Sequence, residues 1–339
     1  MTATVVFSER LGKRTPPEIE FGQRLSVTIE TRPFWTLDDI VREGAGADVI
    51  VAGAVEPFTR DALAALPGVS GIVRRGIGVD NVDLDAATAF GIPVGFVPAA
   101  SVEEVSDHAL ALALSLVRRL SSIEAAVRVE DVTTAGELGG RSRPFNELTL
   151  GIVGFGRIGR ALARKASSVF ADIVATDPML LAGTTVDGIP IVEPAEIWAR
   201  ADIISLHAPA MPGGGPLVNP DTIGAMRDGV LIVNTARGAL VDEDALMAAV
   251  WSGRVGGAAL DVTAAEPLPS SSPLFAVPGI VLSGHNAHRG AMAATKLERG
   301  VLEAVEAILT GAVPESVANP AVLKAANLRV YRPTEGDSA

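Results

Sequence analysis

Three polar residues of different chemical type each follow a short apolar run of the sequence. Arg237 follows VLIVNTA, Glu266 follows GAALDVTAA and His285 follows IVLSG. A histidine can exchange a proton near neutral pH, a carboxylate can orient it, and an arginine can grip a carboxylate with two parallel hydrogen bonds. Taken singly, each could be a surface charge, a turn residue or a loop residue. Together they predict a site with an acid or base, its orienting carboxylate and an anchor for an anion.

The element that would bring a cofactor to this site is predicted between residues 148 and 177. A short apolar strand is followed by a glycine turn, a helix and a second apolar strand that ends at Asp177. The turn GFGRIG supplies the predicted cofactor-binding residues Gly154, Gly156, Arg157, Ile158 and Gly159. Its glycines permit a tight turn, close approach of a pyrophosphate and close packing of helix on strand. The carboxylate of Asp177 would bind the adenosine ribose and repel a 2′-phosphate, which favours NAD over NADP.

Strands and helices alternate over the rest of the chain, which predicts an α/β protein with mostly parallel sheets. Before residue 100 the predicted strands are 4–7, 48–52, 71–74 and 93–96, and the predicted helices are 37–42, 60–66 and 84–90. A long helix is predicted from Val102 to about Arg128, with His108 as a structural helix residue, and a connecting segment from 130 to 147. Beyond the fingerprint the predicted strands are 203–206, 230–233, 258–260 and 280–282, and the predicted helices are 221–226, 243–251 and 289–310.

A second glycine turn, RRGIGVDN at residues 74–81, follows one of the first predicted strands. Such a turn can present backbone N–H groups to an anion, but it can equally be a tight connection that binds nothing. From this segment alone the two interpretations are about equally favoured.

Composition restricts the class of protein. The 339 residues suffice for two domains, the net charge of −12 argues against nucleic-acid binding, and no cysteine is present for disulfides or thiolate chemistry. The N-terminal residues lack the pattern of a signal peptide, and no apolar run resembles a membrane span. The sequence therefore predicts a cytoplasmic enzyme that binds neither nucleic acid nor membrane, and no metal site is expected.

Several segments resemble the signatures of the D-isomer-specific 2-hydroxyacid dehydrogenases. They are RRGIGVDNVDLDAAT, the GFGRIG fingerprint, NTARGALVDEDAL, GAALDVTAAEPL and the histidine of VLSGHNAH. They occur in the family's order, and the resemblance as a whole extends from about residue 45 to about 323. VPAASVEEVSDHALAL is most similar to the branch that contains the C-terminal binding proteins. One departure is Gly284, because many members carry proline just before the catalytic histidine.

The resemblance implies two doubly wound parallel-sheet domains with a cleft between them. Residues 1–100 and 290–339 would form a discontinuous, flavodoxin-like substrate-binding domain, and residues 101–289 an NAD-binding Rossmann domain. Family members usually form homodimers through their nucleotide domains, so a homodimer is expected.

The resemblance also implies roles for individual residues. His285 would be the acid/base and Glu266 its partner, while Arg237 and the backbone N–H groups of Ile77 and Gly78 would bind the substrate carboxylate. Further residues would line the cofactor site together with His285: His207, Ala208, Pro209, Thr235, Ala236 and Asp261.

The leading functional hypothesis is an NAD-dependent oxidoreductase that interconverts a 2-oxo acid and a D-2-hydroxy acid. An NAD(H)-sensing interaction protein of the C-terminal binding protein type is one alternative, and a phosphite- or phosphonate-related dehydrogenase is another. Formate dehydrogenases share the expected fold, but their histidine usually pairs with glutamine, so Glu266 argues against formate. The residue types do not select one 2-oxo acid.

Overall fold

The computed structural model describes residues 2–211 and 213–332 of the chain. It divides into two compact units, Met1–Ser101 with Gly290–Ala339 and Val102–Arg289. Within the described ranges, no helix combines the length and the apolar character needed to cross a membrane.

The first unit is built on five parallel strands in the order β2-β1-β3-β4-β5. Its elements up to residue 101 are β1 (Thr4–Ser8), α1 (Pro16–Leu25), β2 (Thr28–Arg32), α2 (Leu37–Glu43), β3 (Val49–Ala52), α3 (Arg60–Ala64), β4 (Gly71–Arg74), α4 (Leu84–Ala89) and β5 (Val94–Phe96). Strands β3 and β4 are buried along their whole length, as expected for central strands covered on both faces. The strand order is that of flavodoxin-like folds.

The second unit is built on six parallel strands in the order β13-β12-β11-β10-β6-β7. Its elements are α5 (Val102–Arg118), α6 (Leu120–Arg128), α7 (Val132–Gly140), β6 (Thr149–Val153), α8 (Arg157–Ala166), β7 (Asp172–Thr176), β8 (Thr185–Val186), β9 (Ile189–Pro190), α9 (Pro194–Arg200), β10 (Ile203–Leu206), α10 (Pro220–Ala225), β11 (Val230–Asn234), α11 (Glu243–Trp251), β12 (Val255–Leu260) and β13 (Ile280–Leu282). Ile191 adds a single parallel bridge to Ala175 beside β7. With that bridge counted as the third strand position, the order is 3-2-1-4-5-6-7, which is the 3-2-1-4-5-6 order of Rossmann folds with β13 as one further strand.

The chain then returns to the first unit with α12 (Ala291–Leu309). Apolar residues of α12 pack on one face of the first sheet together with Phe21 of α1, while α2, α3 and α4 contribute to the core on the other face. The prediction of two doubly wound parallel sheets is therefore confirmed.

Two local predictions were wrong, and some elements were not predicted. The long helix is interrupted at Arg119, whose left-handed φ of 55° separates α5 from α6. The segment predicted as a connection contains α7, a glycine-rich helix that buries Ala135. Helix α1 was missed although Thr15 and Glu18 form a capping box at its start. Strand β2 was missed because TIETR is a polar, half-exposed edge strand without an apolar run.

Candidate active site

The three predicted catalytic residues follow three neighbouring strands of the second unit. Arg237 comes after β11, Glu266 after β12 and His285 after β13, and these strands pair in parallel. Because the carboxyl ends of parallel strands meet at one edge of a sheet, the topology brings the three loops to the same edge.

His285 and Glu266 are in direct contact. The Nδ1 atom of His285 lies 2.6 Å from Oε2 of Glu266, and both side chains remain partly exposed, 45% and 38% respectively. The other carboxylate oxygen, Oε1, accepts a hydrogen bond from the backbone N–H of Thr263 at 3.2 Å. Since a carboxylate only accepts, Nδ1 carries a proton, and Nε2 is left to exchange one with a substrate.

Arg237 is held beside the Glu266 loop by the glycine that follows it. A Cβ atom on Gly238 would lie 2.0 Å from the carbonyl oxygen of Thr263, so only glycine permits this close approach. The side-chain N–H of Asn234 donates to the Arg237 carbonyl at 2.8 Å, and Nη1 of Arg237 donates to the Ala236 carbonyl at 2.7 Å. The backbone that carries the guanidinium is therefore fixed on both sides.

The loop that carries His285 has an unusual backbone, because Gly284 and His285 have φ values of 63° and 57°. Proline fixes φ near −65° and cannot adopt the conformation of Gly284, which accounts for the departure at this position. Histidine tolerates the left-handed region at some cost, so other contacts must hold the loop.

Asp261 provides those contacts from the end of β12. Its backbone carbonyl accepts a hydrogen bond from the N–H of His285 at 2.5 Å. Its buried carboxylate accepts from the N–H groups of Asn286 at 2.9 Å and Ala287 at 3.0 Å, and from the hydroxyl of Ser283 at 2.6 Å. Both carboxylate oxygens thus bind the loop around the histidine.

The glycine fingerprint has the geometry that a dinucleotide requires. Gly154 has a left-handed φ of 93°, and a Cβ there would lie 2.6 Å from the carbonyl carbon of His207. A Cβ on Gly159 would lie 2.3 Å from the Gly154 oxygen, whereas one on Gly156 would meet nothing within 4 Å. Helix α8 begins at Arg157 and has no side-chain cap, so the amides of Arg157, Ile158 and Gly159 in its first turn have no acceptor within the helix. These amides and the helix dipole fit a pyrophosphate.

Asp177 lies at the end of β7 and closes this turn. Its Oδ2 accepts from the N–H of Phe155 at 2.8 Å, and its Oδ1 accepts from the N–H of Met179 at 2.9 Å. The carboxylate is thereby fixed next to the glycine turn, where the ribose of a dinucleotide binds in this fold.

Two buried polar atoms lie at the ends of β10 and β11. Nδ1 of His207 and Oγ1 of Thr235 find no hydrogen-bond partner within residues 2–211 and 213–332. Burial lowers the pKa of His207 to about 4, so its imidazole is neutral, and Nε2 pairs with the Ser205 hydroxyl at 2.8 Å. Buried polar atoms of this kind are normally hydrogen-bonded, so they fit a polar ligand at this edge. Ala208, Pro209 and Ala236 belong to the same two loops.

The remaining predicted residues, Ile77 and Gly78, lie in the first unit, in the half-buried loop that follows β4.

His288 is the second histidine near the site. Its ring stacks edge-on against His285 with centroids 5.4 Å apart, and burial followed by the neighbouring His285 lowers its pKa. Glu266 contacts the ring of His285, so His285 is the candidate acid/base of the two.

The sequence did not reveal how His285 is supported. Ser283 contacts Asp261, and His108 of α5 lies 3.0 Å from the Ser283 hydroxyl through its Nε2 atom. A serine in SGH and a histidine on an amphipathic helix give no signal of a shared network, since 175 residues separate them.

Comparison with known proteins identifies the family. Residues 110–287, more than half of the chain, match the model of the D-isomer specific 2-hydroxyacid dehydrogenase NAD binding domain. The D-3-phosphoglycerate dehydrogenase of Mycobacterium leprae is 36% identical over 273 residues, which are 80% of this chain and 51% of that protein. The chain thus spans about half the length of the curated relatives it matches.

Solved structures with a similar fold include the D-lactate dehydrogenase of Aquifex aeolicus complexed with NAD and lactic acid. It is 26% identical with a TM-score of 0.81, and the match covers 93% of this chain and 99% of that one. A glyoxylate reductase from Paecilomyes thermophila is 28% identical with a TM-score of 0.81, over 94% and 99% of the two chains. The chain belongs to the D-isomer-specific 2-hydroxyacid dehydrogenase family, and its cofactor is NAD.

Proposed function

We propose that the protein is an NAD-dependent dehydrogenase that interconverts a 2-oxo acid and a D-2-hydroxy acid. The observation that carries the proposal is the 2.6 Å contact between His285 and Glu266, at the edge of the sheet where Arg237 is also held. The activities of the D-3-phosphoglycerate dehydrogenase, D-lactate dehydrogenase and glyoxylate reductase to which the chain is similar support this substrate class.

Each catalytic side chain has a role in the reducing direction. Bound NADH supplies the hydride that the 2-oxo carbon accepts. His285 donates a proton from Nε2 to the carbonyl oxygen, and Glu266 stabilises the imidazolium through Nδ1. Arg237 binds the substrate carboxylate and stabilises the charge that develops on the oxygen.

The same proposal assigns the other predicted residues. The unit Val102–Arg289 holds the cofactor through the fingerprint glycines, Asp177, the loop at His207 and the loop at Thr235. Asp261 would lie near the nicotinamide amide. The unit with Met1–Ser101 serves as the substrate-binding domain, where the N–H groups of Ile77 and Gly78 contact the carboxylate.

A homodimer also forms part of the proposal. Four large apolar residues from the start of α6 to the start of α7 are exposed: Leu120, Val127, Val129 and Val132. A face of this kind is suited to association with a second copy of the chain. Light scattering on the purified protein tests this directly, and a monomeric mass at micromolar concentration would contradict it.

The activity is tested by following the loss of NADH with a panel of 2-oxo acids: glyoxylate, hydroxypyruvate, pyruvate, branched and aromatic oxo acids, oxaloacetate and phosphonopyruvate. Turnover of one class, abolished by His285→Ala and strongly reduced by Arg237→Lys, is the expected result, because lysine cannot reproduce the two parallel hydrogen bonds. His288→Gln serves as the matched control and should retain most of the activity. Tight NADH binding without any turnover would instead favour an NADH-sensing interaction protein.

A further inference from the structure

A chain of hydrogen bonds in the second unit leads from helix α5 to the loop that carries His285. Nε2 of His108 lies 3.0 Å from the hydroxyl oxygen of Ser283, and that hydroxyl lies 2.6 Å from Oδ1 of Asp261. The same Nε2 is 3.6 Å from Oδ1 of Asp261. The three residues come from three separate elements, so the contacts are not a consequence of local sequence.

The direction of each bond follows from the groups involved. The Asp261 carboxylate can only accept, so the hydroxyl of Ser283 uses its single proton on Oδ1. The oxygen of Ser283 must then accept from His108, which requires a proton on Nε2. The order of donation is therefore His108 to Ser283 to Asp261.

Asp261, at the end of these hydrogen bonds, fixes the catalytic loop. Asp261 is only 2% exposed, and its carboxylate oxygens also accept hydrogen bonds from the backbone N–H groups of Asn286 and Ala287, the two residues after His285. A buried carboxylate that loses a donor becomes costly and shifts toward new partners. Such a shift would release the left-handed backbone at His285 and move its ring away from Glu266.

We propose that His108 and Ser283 are positioning residues for catalysis: through Asp261 they hold the backbone of residues 284–287 in the conformation that sets His285 against Glu266. The inference rests on the proposed dehydrogenase function, which gives His285 its role. In this proposal both residues act on the rate of chemistry through the loop.

The kinetic test compares His108→Ala, Ser283→Ala, their double variant and His108→Gln with the wild type. Because small misplacement of a catalytic group is costly, each alanine variant should lower kcat about tenfold or more. The KM for NADH should change less than kcat, since most of the proposed dinucleotide contacts, those of the fingerprint and Asp177, lie on other strands. The double variant should lose no more than the worse single variant, and the side-chain N–H of His108→Gln should restore much of kcat.

A matched control is Ser115→Ala, which removes a hydroxyl from a half-buried position farther along the same helix and should leave kcat unchanged. The proposal is overturned if the alanine variants keep kcat within about twofold of the wild type, or if the two losses multiply in the double variant. A rise of KM for NADH at unchanged kcat would equally contradict it.

Backbone hydrogen exchange gives a readout that needs no turnover. In His108→Ala the amides of residues 285–287 should exchange faster, while those of β6 and α8 keep the wild-type rate. Faster exchange throughout the second unit would indicate general destabilisation and overturn the positioning role. If the wild type reduces no 2-oxo acid, the dehydrogenase proposal fails, and the exchange measurement alone decides whether the loop is held by His108.

Discussion

The Nδ1 atom of His285 lies 2.6 Å from Oε2 of Glu266, although the two residues follow different strands and are 19 positions apart. The contact exists because β12 and β13 are neighbours in the sheet and because the left-handed backbone at Gly284 and His285 turns the ring toward the preceding loop. The pairing therefore depends on both sheet topology and an unusual local conformation.

Two substitutions of Glu266 distinguish the effect of its negative charge from the effect of its hydrogen bond to His285. Glu266→Gln retains an oxygen that can accept from Nδ1 but removes the negative charge that stabilises the imidazolium, so kcat for oxo-acid reduction should fall about ten- to a hundredfold. Glu266→Ala also removes the orienting contact and should cost more. Steady-state kinetics of both variants measure the difference, and equal losses would show that the charge contributes nothing beyond orientation.

The close approach at Gly238 predicts a second effect on activity. In Gly238→Ala the new methyl group would overlap the carbonyl of Thr263, so the loops that carry Arg237 and Glu266 must move apart. We expect a fall in kcat/KM of at least about tenfold and a loss of stability of about 1–3 kcal/mol.

Gly224→Ala provides the control, because a Cβ at this position in α10 meets nothing within 4 Å. Kinetics and urea unfolding of the two variants should differ clearly. A Gly238→Ala enzyme with normal kcat/KM would show that the two loops need not be in contact.

The sequence predicted the parts of this protein that rest on periodicity and on motifs. Strands such as Ile203–Leu206 and Ile280–Leu282 have the predicted bounds, because short apolar runs between turn signals determine them. The parallel, doubly wound character of the second sheet was also predicted and is confirmed. The prediction of an NAD cofactor was confirmed as well.

The sequence could not predict features that depend on contacts between distant segments. Nothing in the apolar spacing of α5 and α6 signals the break at Arg119, and the glycine-rich segment of α7 has weak helix propensity, so packing must determine its conformation. The contact of His108 with Ser283 joins a helix to a strand end far along the chain. Such contacts require the tertiary structure.

The position of Asp177 predicts the choice between the two nicotinamide cofactors. The N–H groups of Phe155 and Met179 fix its carboxylate beside the glycine turn, so a 2′-phosphate would meet a negative charge that cannot turn away. Wild type should prefer NADH, and Asp177→Asn should raise the ratio of kcat/KM for NADPH over NADH about tenfold or more. An unchanged ratio would contradict this role. Asp187→Asn, an exposed acid paired with Arg160, is a suitable control.

Burial of His207 predicts a pH-dependent stability. Burial lowers its pKa to about 4 in the folded protein, whereas an unfolded histidine titrates near its ordinary value of 6.5. Between these two values the unfolded chain binds a proton that the folded chain excludes, so stability falls as the pH drops from 6.5 toward 4 and is fully present above 6.5. Nδ1 of His207 is buried, but the residue as a whole is only half-buried. The shifted pKa of His207 therefore changes the unfolding free energy by at most about 3 kcal/mol.

Urea unfolding of wild type and His207→Gln tests this prediction. Glutamine does not titrate, so the difference in unfolding free energy between the two proteins isolates the histidine, apart from a constant offset for the altered contact with Ser205. Between pH 8 and pH 5 the wild type should lose up to about 2 kcal/mol of unfolding free energy relative to His207→Gln. A difference that stays constant over this range would mean that His207 accepts a proton in the folded protein as readily as in the unfolded chain.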